Sequence, residues 1–405
     1  MSTEVVDDFT AAKITPEAVA AMKARIGMIT HFQRTSPLET TTEAHIDTMR
    51  RYAIGIGDDN PLWCDPDYGF STRWRSPIAF PTYSVGGLDE ILPQDARIAP
   101  KGDPLKGLHS FIVGFETTYY RHIYPGDRTS SITFLESVEQ KESKFSGISV
   151  KASRMTRIKN QRGDVVRTVR VPTIHVARSG HGGKNKSQDY EPPVYSAEEI
   201  ARIDAAYEAE RRRGAEPRYW EDVAVGDDID PIVKGPYTLK DWIGYCVGTG
   251  QFGAFGAGTH RLDYLNRKRI PKFYSTATAD GIPRSAFACH WDLDVAHAAG
   301  VPQCYDVGAM RQAYLTQMLT NWMGDDGFVH KTRFEFRQFN YLGDVQWCEG
   351  RVTGKRRDGD LNAIDIEMSC TNQRGGRTTL ASATVLLPSR EFGPVRLPDA
   401  PRNLP

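Results

Sequence analysis

Two stretches of this sequence gather side chains that could move a proton. Gly57-Asp58-Asp59-Asn60-Pro61-Leu62-Trp63-Cys64-Asp65-Pro66 sets a carboxylate, an amide and an indole in one proline-containing turn at the end of a predicted helix. Asp58 could act as a general acid or base, or as an Asx residue whose side chain bonds the backbone of its own turn. Trp63, five residues on, cannot share a proton with it, because an indole only donates and does not titrate. The second stretch runs from Gly281 through Arg284, Ser285 and Cys289 to His290-Trp291-Asp292. His290 has the side chain that takes and gives a proton near neutrality, and it lies among small and aromatic residues. A satisfied core histidine is the competing reading. Downstream, Tyr305-Asp306-Val307-Gly308 offers a hydroxyl and a carboxylate as proton donor or orienter for His290; Asp306 could equally cap a helix. Arg284 could pair with an acyl or phosphate group or point to solvent, and Arg73-Trp74-Arg75 is a second basic candidate for phosphates.

These residues need a sizeable scaffold. The chain has 405 residues, 40% hydrophobic and 25% charged, which suits a soluble protein of two domains. Lys+Arg and Asp+Glu both number 51, so no basic excess points to nucleic acid. An acidic, polar N-terminus and the lack of a long apolar run predict neither a secretory signal nor a membrane span. Six scattered cysteines without CxxC spacing predict reduced thiols in a cytoplasmic protein and no metal site.

The elements are written twice. Tyr124-Pro125-Gly126-Asp127 recurs as Tyr341-Leu342-Gly343-Asp344, and Asn160-Gln161-Arg162-Gly163 as Asn372-Gln373-Arg374-Gly375, at offsets of 217 and 212 residues. Each Asn-Gln-Arg-Gly lies between two β-rich runs, the layout of a hairpin with glycine available for a positive φ. Thr42 and Thr238-Leu239-Lys240-Asp241 start helices in the two halves, and a more apolar segment, Ile78 to Leu92, follows the first motif. The order predicts two units, 1–178 and 216–405, each a buried helix wrapped by an antiparallel sheet. Between them, 179–215 holds a Gly-rich linker (Ser179–Ser187) and a helix opened by the Ser196–Glu199 capping box.

The segment Gly57 to Pro66 resembles the active-site turn of the MaoC-like (R)-specific enoyl-CoA hydratases and 3-hydroxyacyl dehydratases, whose pattern is Gly-Asp-x-Asn-Pro-Leu-His-x-Asp. With Pro77-Ile78-Ala79-Phe80-Pro81, Arg218 to Asp227, and His290-Trp291-Asp292 through Gly308, the resemblance extends over roughly Ile26 to Pro388 and is to the tandem, double-hotdog type, an α+β fold. It implies an acyl-CoA or acyl-carrier thioester as substrate, no cofactor, and a homodimer or heteromeric hotdog assembly. The implied reaction is reversible hydration of a 2-enoyl thioester or dehydration of a 3-hydroxyacyl one, possible for a bulky acyl group. A non-catalytic acyl-CoA-binding subunit and a hotdog thioesterase are the alternatives. The family's Asp falls on Asp58 and its supporting Asn on Asn60, but its His falls on Trp63. In the second half the His-x-Asp falls on His290 and Asp292, with Ser285 in the Asp position. The resemblance therefore implies that the first site is degenerate and that the second is active through His290, with Asp58, Tyr305 and Asp306 as further catalytic candidates. Asn60, Trp63 and Arg284 would contact substrate, and the N–H groups of Val307 and Gly308 would hold the thioester oxygen.

Overall fold

A computed structural model describes residues 13–34, 41–143, 147–177, 190–250, 258–275 and 278–401; the Gly-rich segment Ser179–Ser187 lies outside them. The first unit comprises α1 (Pro16–Lys23), β1 (Ile29–Phe32), α2 (Ile46–Ile56), α3 (Pro66–Ser71), β2 (His109–Ile112), β3 (Gly114–Tyr119), β4 (Thr129–Ser143), β5 (Gly147–Asn160) and β6 (Val165–Val176). Helix α4 (Ala197–Ala209) leads to the second unit: β7 (Asp228–Lys234), α5 (Leu239–Thr249), α6 (Arg261–Arg269), β8 (Tyr274–Ser275), β9 (Arg284–Ser285), α7 (Leu293–Ala298), α8 (Gly308–Met323), β10 (Phe328–Phe336), β11 (Gln346–Asp358), β12 (Leu361–Asn372) and β13 (Arg377–Leu386). None of the helices among the described residues is long and apolar enough to cross a membrane.

The duplication seen in the sequence is a duplication of the sheet. One eleven-stranded sheet runs β1-β4-β5-β6-β3-β10-β13-β12-β11-β7, with β2 beside β6, so the second unit repeats the first in mirror order. The halves join where β3 pairs antiparallel with β10, from Lys331–Thr118 to Glu335–Gly114. A double hotdog results.

The repeated tetrapeptides form one device used twice. In the β5–β6 turn the Asn160 side chain accepts from Arg162 N and Asp164 N, both at 3.0 Å; in the β12–β13 turn Asn372 accepts from Arg374 N and Gly376 N at 3.1 and 2.9 Å. Gly163 and Gly375 supply the positive φ (83° and 77°) that closes each turn. Gln161 and Arg162 then reach the buried Asp127 carboxylate at 2.9 and 3.1 Å, while Gln373 and Arg374 reach Asp344 at 2.8 and 2.6 Å. The same carboxylates also cap Tyr124 N and Tyr341 N. The repeat holds the sheet in register and does no chemistry.

Helix α8 is the centre of the second unit, and every residue from Met310 to Met323 is buried. A helix buried all round must be wrapped rather than laid on a surface. Each fully buried Leu or Met side chain here contributes about 1.5–3 kcal/mol relative to exposure. Helices α2 and α5 cross in close contact, with Gly55 against Gly244 and Gly248.

The first unit departs from the expected plan of a buried helix, for the apolar segment from Ile78 to Leu92 forms none. Thr82, Val85 and the Gly86-Gly87 pair are poor helix formers. Their backbone is used outward instead: Gly86 N bonds Thr41 O, and Leu88 N bonds Thr129 O. Gly87, at φ 91°, leaves no room for a Cβ, which would meet Thr42 O at 1.7 Å. The guanidinium of Arg167 pins the resulting loop, donating to Pro81 O and Ser84 Oγ at 2.8 Å each.

Candidate active site

In the first unit, α2 ends at Gly57 in the left-handed conformation, and the chain turns directly into the Asp58 motif. Asp58 is buried; its Oδ1 accepts from Asn60 N at 3.0 Å and its Oδ2 from the Trp63 indole at 2.8 Å. Burial pushes the Asp58 carboxyl above its ordinary range, against the two hydrogen bonds that favour the ionised form. Asn60 caps the short turn Pro61–Trp63, accepting from Leu62 N at 3.0 Å, which is a structural use of the side chain expected to touch substrate. Trp63 packs edge-on against Phe80 at 5.4 Å. Together with the second unit's Thr320 and Met323 they line a cavity of about 20 Å³, room for about one water. The acid keeps a donor, but among the described residues none of its hydrogen-bond partners can carry its proton.

The second unit repeats this local structure. Residues 286–290 form a short turn like Pro61–Trp63, and Asp292 caps α7 (Val295 N at 3.1 Å) as Asp65 caps α3 (Asp67 N at 2.9 Å). His290 thereby stands in the place Trp63 takes in the first unit. Its ring stacks on Trp242 of α5 at 4.9 Å and meets the edge of Tyr305 at 4.7 Å. Nδ1 lies 2.7 Å from the Tyr305 carbonyl oxygen. An acceptor there requires the proton on Nδ1, which leaves Nε2 as the basic nitrogen. No described residue hydrogen-bonds Nε2. Burial pushes the imidazole down to about 4, so it is neutral at pH 7.

The expected partners of His290 are turned elsewhere. The Tyr305 hydroxyl sits 3.4 Å from Cys289 Sγ, and burial raises its pKa far above the usual tyrosine range. Asp306, fully buried, accepts from Asn340 Nδ2 at 3.0 Å and faces Arg311 Nε at 3.1 Å with the same oxygen, Oδ2. Its Oδ1 has no partner among the described residues, and burial raises the group to about 6 despite the arginine. Asp306 thus anchors the start of α8 through Asn340 and Arg311 rather than through a cap, for no side chain caps that helix. Gly308 lies against the Phe336 ring, where a Cβ would come within 2.3 Å.

Arg284, expected to meet an acyl or phosphate group, instead holds Asp280 through both terminal nitrogens at 2.6 and 2.7 Å and pairs with Asp292 through Nε. Its charge is engaged within the protein because a capping carboxylate and a turn carboxylate flank it. Arg73 donates to Val395 O at 2.8 Å and stacks on Trp74 at 4.4 Å. Sequence reasoning missed Trp242, which supports the imidazole, and Arg311, which pairs with Asp306. A single arginine in the apolar run Ala309–Leu319 was the available signal for the second; an indole in a distant helix carried none for the first.

Residues 34–169 match the family model described as the FAS1-like dehydratase domain region. Among solved structures, a MaoC-like dehydratase superimposes with a TM-score of 0.60 at 14% identity, over 90% of this chain and 99% of that one. A MaoC domain protein from Chloroflexus aurantiacus J-10-fl gives 0.50 at 12% identity, over 90% of this chain and 95% of that one. No curated protein matches the chain by sequence.

Proposed function

We propose that this chain, with its MaoC-like double-hotdog fold, is a hydro-lyase that reversibly hydrates a 2-enoyl-CoA or dehydrates a 3-hydroxyacyl-CoA. One observation carries the proposal: a neutral imidazole with its tautomer set by the Tyr305 carbonyl stands in the Trp63-equivalent position, its Nε2 without a partner among the described residues. In the hydration direction Nε2 of His290 would take a proton from water as its oxygen bonds the β-carbon. The protonated ring would then return a proton to the α-carbon, and the reverse sequence would expel water. Negative charge developing on the thioester oxygen would be met by the N–H groups of Val307 and Gly308 at the uncapped end of α8.

The pairing of Asp58 with Trp63 favours a second reading, a non-catalytic acyl-CoA-binding subunit. Loss of enoyl absorbance with crotonyl-CoA or a cinnamoyl-type CoA separates the two. Under the first reading His290→Ala lowers the rate by about 10²–10⁴ and Asp58→Ala leaves it within a few-fold. Loss with Asp58→Ala alone would overturn the assignment to the second unit, and tight binding without turnover would favour the subunit.

A further inference from the structure

We infer that the cavity beside Asn60 and Trp63 is a binding site for a small monovalent anion, a halide or formate, held by Arg167. Arg167 rises from β6 into the first unit and is 6% exposed. Two of its nitrogens are used on neutral oxygens, Pro81 O and Ser84 Oγ, and its Nε–H has no acceptor among the described residues. No Asp or Glu of the described residues pairs with it; the ionisable groups that act on it are Tyr119 and Tyr52. Both tyrosines are buried, which raises their hydroxyls and keeps them neutral. A permanent positive charge is therefore enclosed with no carboxylate of the described residues paired to it, an arrangement that interiors avoid unless the charge is matched. The contrast within the molecule is direct, since the buried Arg311 of the second unit faces Asp306 at 3.1 Å.

The cavity supplies a place for the missing charge. Arg167 lines it together with His122, whose Nε2 is likewise buried and without a partner. Burial pushes this imidazole down to about 3, so the ring is neutral and can present an N–H. A water there could satisfy the hydrogen bonds but not the charge. At about 20 Å³ the space admits one water-sized atom or a carboxylate head and no tetrahedral oxyanion. The wall also holds Asn60, Phe80, Thr320 and Met323, together with Arg121, which donates to Tyr120 O and Pro398 O at 2.7 Å, and Asp325, whose carboxylate accepts from the Tyr68 hydroxyl at 2.6 Å; the site thus touches the Asp58 turn and the C-terminal end of α8, the far end from His290.

The test uses the full chain at constant ionic strength. Sodium gluconate, whose anion is too large for the cavity, is replaced stepwise by chloride or formate while the thermal midpoint is followed. In parallel, ³⁵Cl NMR line width reports chloride binding and its displacement by formate. The expected result is a saturable rise in the midpoint with chloride and formate but not sulfate. Chloride broadening should be removed by formate, and at least ten-fold weaker binding is expected in Arg167→Gln. Should Arg167→Gln not fold, His122→Gln in the otherwise unchanged chain carries the test and must weaken broadening. Equal midpoints in all salts with no broadening, or broadening unaltered by the substitution, would overturn the site and leave Arg167 as a pin for the Pro81–Ser84 loop.

Discussion

The indole N–H of Trp63 points at Oδ2 of Asp58 across 2.8 Å, inside a turn where the two side chains stand five residues apart. The indole satisfies a buried carboxyl group and cannot carry its proton. Trp63→Phe keeps the ring and removes the donor, leaving Oδ2 buried and unpaired. A loss of about 1–3 kcal/mol is expected from an unsatisfied buried polar group. Urea midpoints at pH 7 check it, and the enoyl-CoA hydration rate should be unchanged, because the proposed chemistry lies in the other unit.

His290 and Asp306 make stability depend on pH in opposite senses. The His290 imidazole is held at about 4 against an ordinary 6.5, so the unfolded chain binds the extra proton and stability is lost as pH falls through that interval. Asp306 is raised to about 6 from an ordinary 3.8; here the folded chain binds the proton, and stability is lost as pH rises through that interval. Each contributes a slope of roughly 1.4 kcal/mol per pH unit within its window. In the wild type the two oppose one another between about pH 4 and 6. Relative to it, His290→Gln should lose stability as pH rises across that range, whereas Asp306→Asn should gain it. Denaturant midpoints at half-unit pH steps give the difference curves, and parallel curves for all three proteins would refute the assignment.

Much of the fold was legible because duplication leaves matched marks. The Asn-Gln-Arg-Gly and Tyr-x-Gly-Asp repeats identified both hairpins, and their near-constant offsets matched the mirror order of the sheet. Capping boxes at Ser196 and Thr238 fixed two helix starts through purely local bonds. The missing helix after Ile78 was not legible, since its apolar residues suit a helix and a packed loop alike. What decides between them is long-range: pairing of Gly86 and Leu88 with Thr41 and Thr129, and the hold of Arg167 on Pro81 and Ser84. Site residues divided the same way. Local spacing singled out Asp58, Asn60, Trp63 and His290 as candidates. The engagement of Arg284 by Asp280 and Asp292, and the stacking of Trp242 beneath His290, depend on how separate segments meet in space.

The two carboxylate clasps predict unequal losses. Asp344 is fully enclosed and receives both terminal nitrogens of Arg374 (2.7 and 2.6 Å), the Gln373 amide and Tyr341 N. Asp127 receives one nitrogen of the more exposed Arg162 at 3.1 Å, together with the Gln161 amide and Tyr124 N. Both carboxylates are buried and both arginines are partly exposed (40% for Arg374 and 55% for Arg162), so each ion pair adds about 0–1 kcal/mol and the difference lies in the second arginine bond that Asp344 alone receives. Asp344→Ala should therefore destabilise more than Asp127→Ala. Equal shifts in the denaturant midpoint would contradict the difference in geometry.

The crossing of α2 over α5 depends on hydrogen in place of a side chain. A Cβ on Gly248 would fall 2.5 Å from Arg51 O and 2.8 Å from Gly55 Cα, and both are backbone atoms that cannot swing aside. In an ordinary exposed helix position Gly→Ala raises stability by up to about 1 kcal/mol through helix propensity. Here the helices must separate, and overpacking of this kind costs about 1–3 kcal/mol. Gly248→Ala is expected to lower the thermal midpoint, with Gly244→Ala as the matched control, because a Cβ there meets nothing within 4 Å. Since α5 also carries Trp242 against His290, separation should loosen the imidazole as well. Gly248→Ala should then lower the enoyl-CoA hydration rate at temperatures where the chain is still folded, and Gly244→Ala should leave it unchanged.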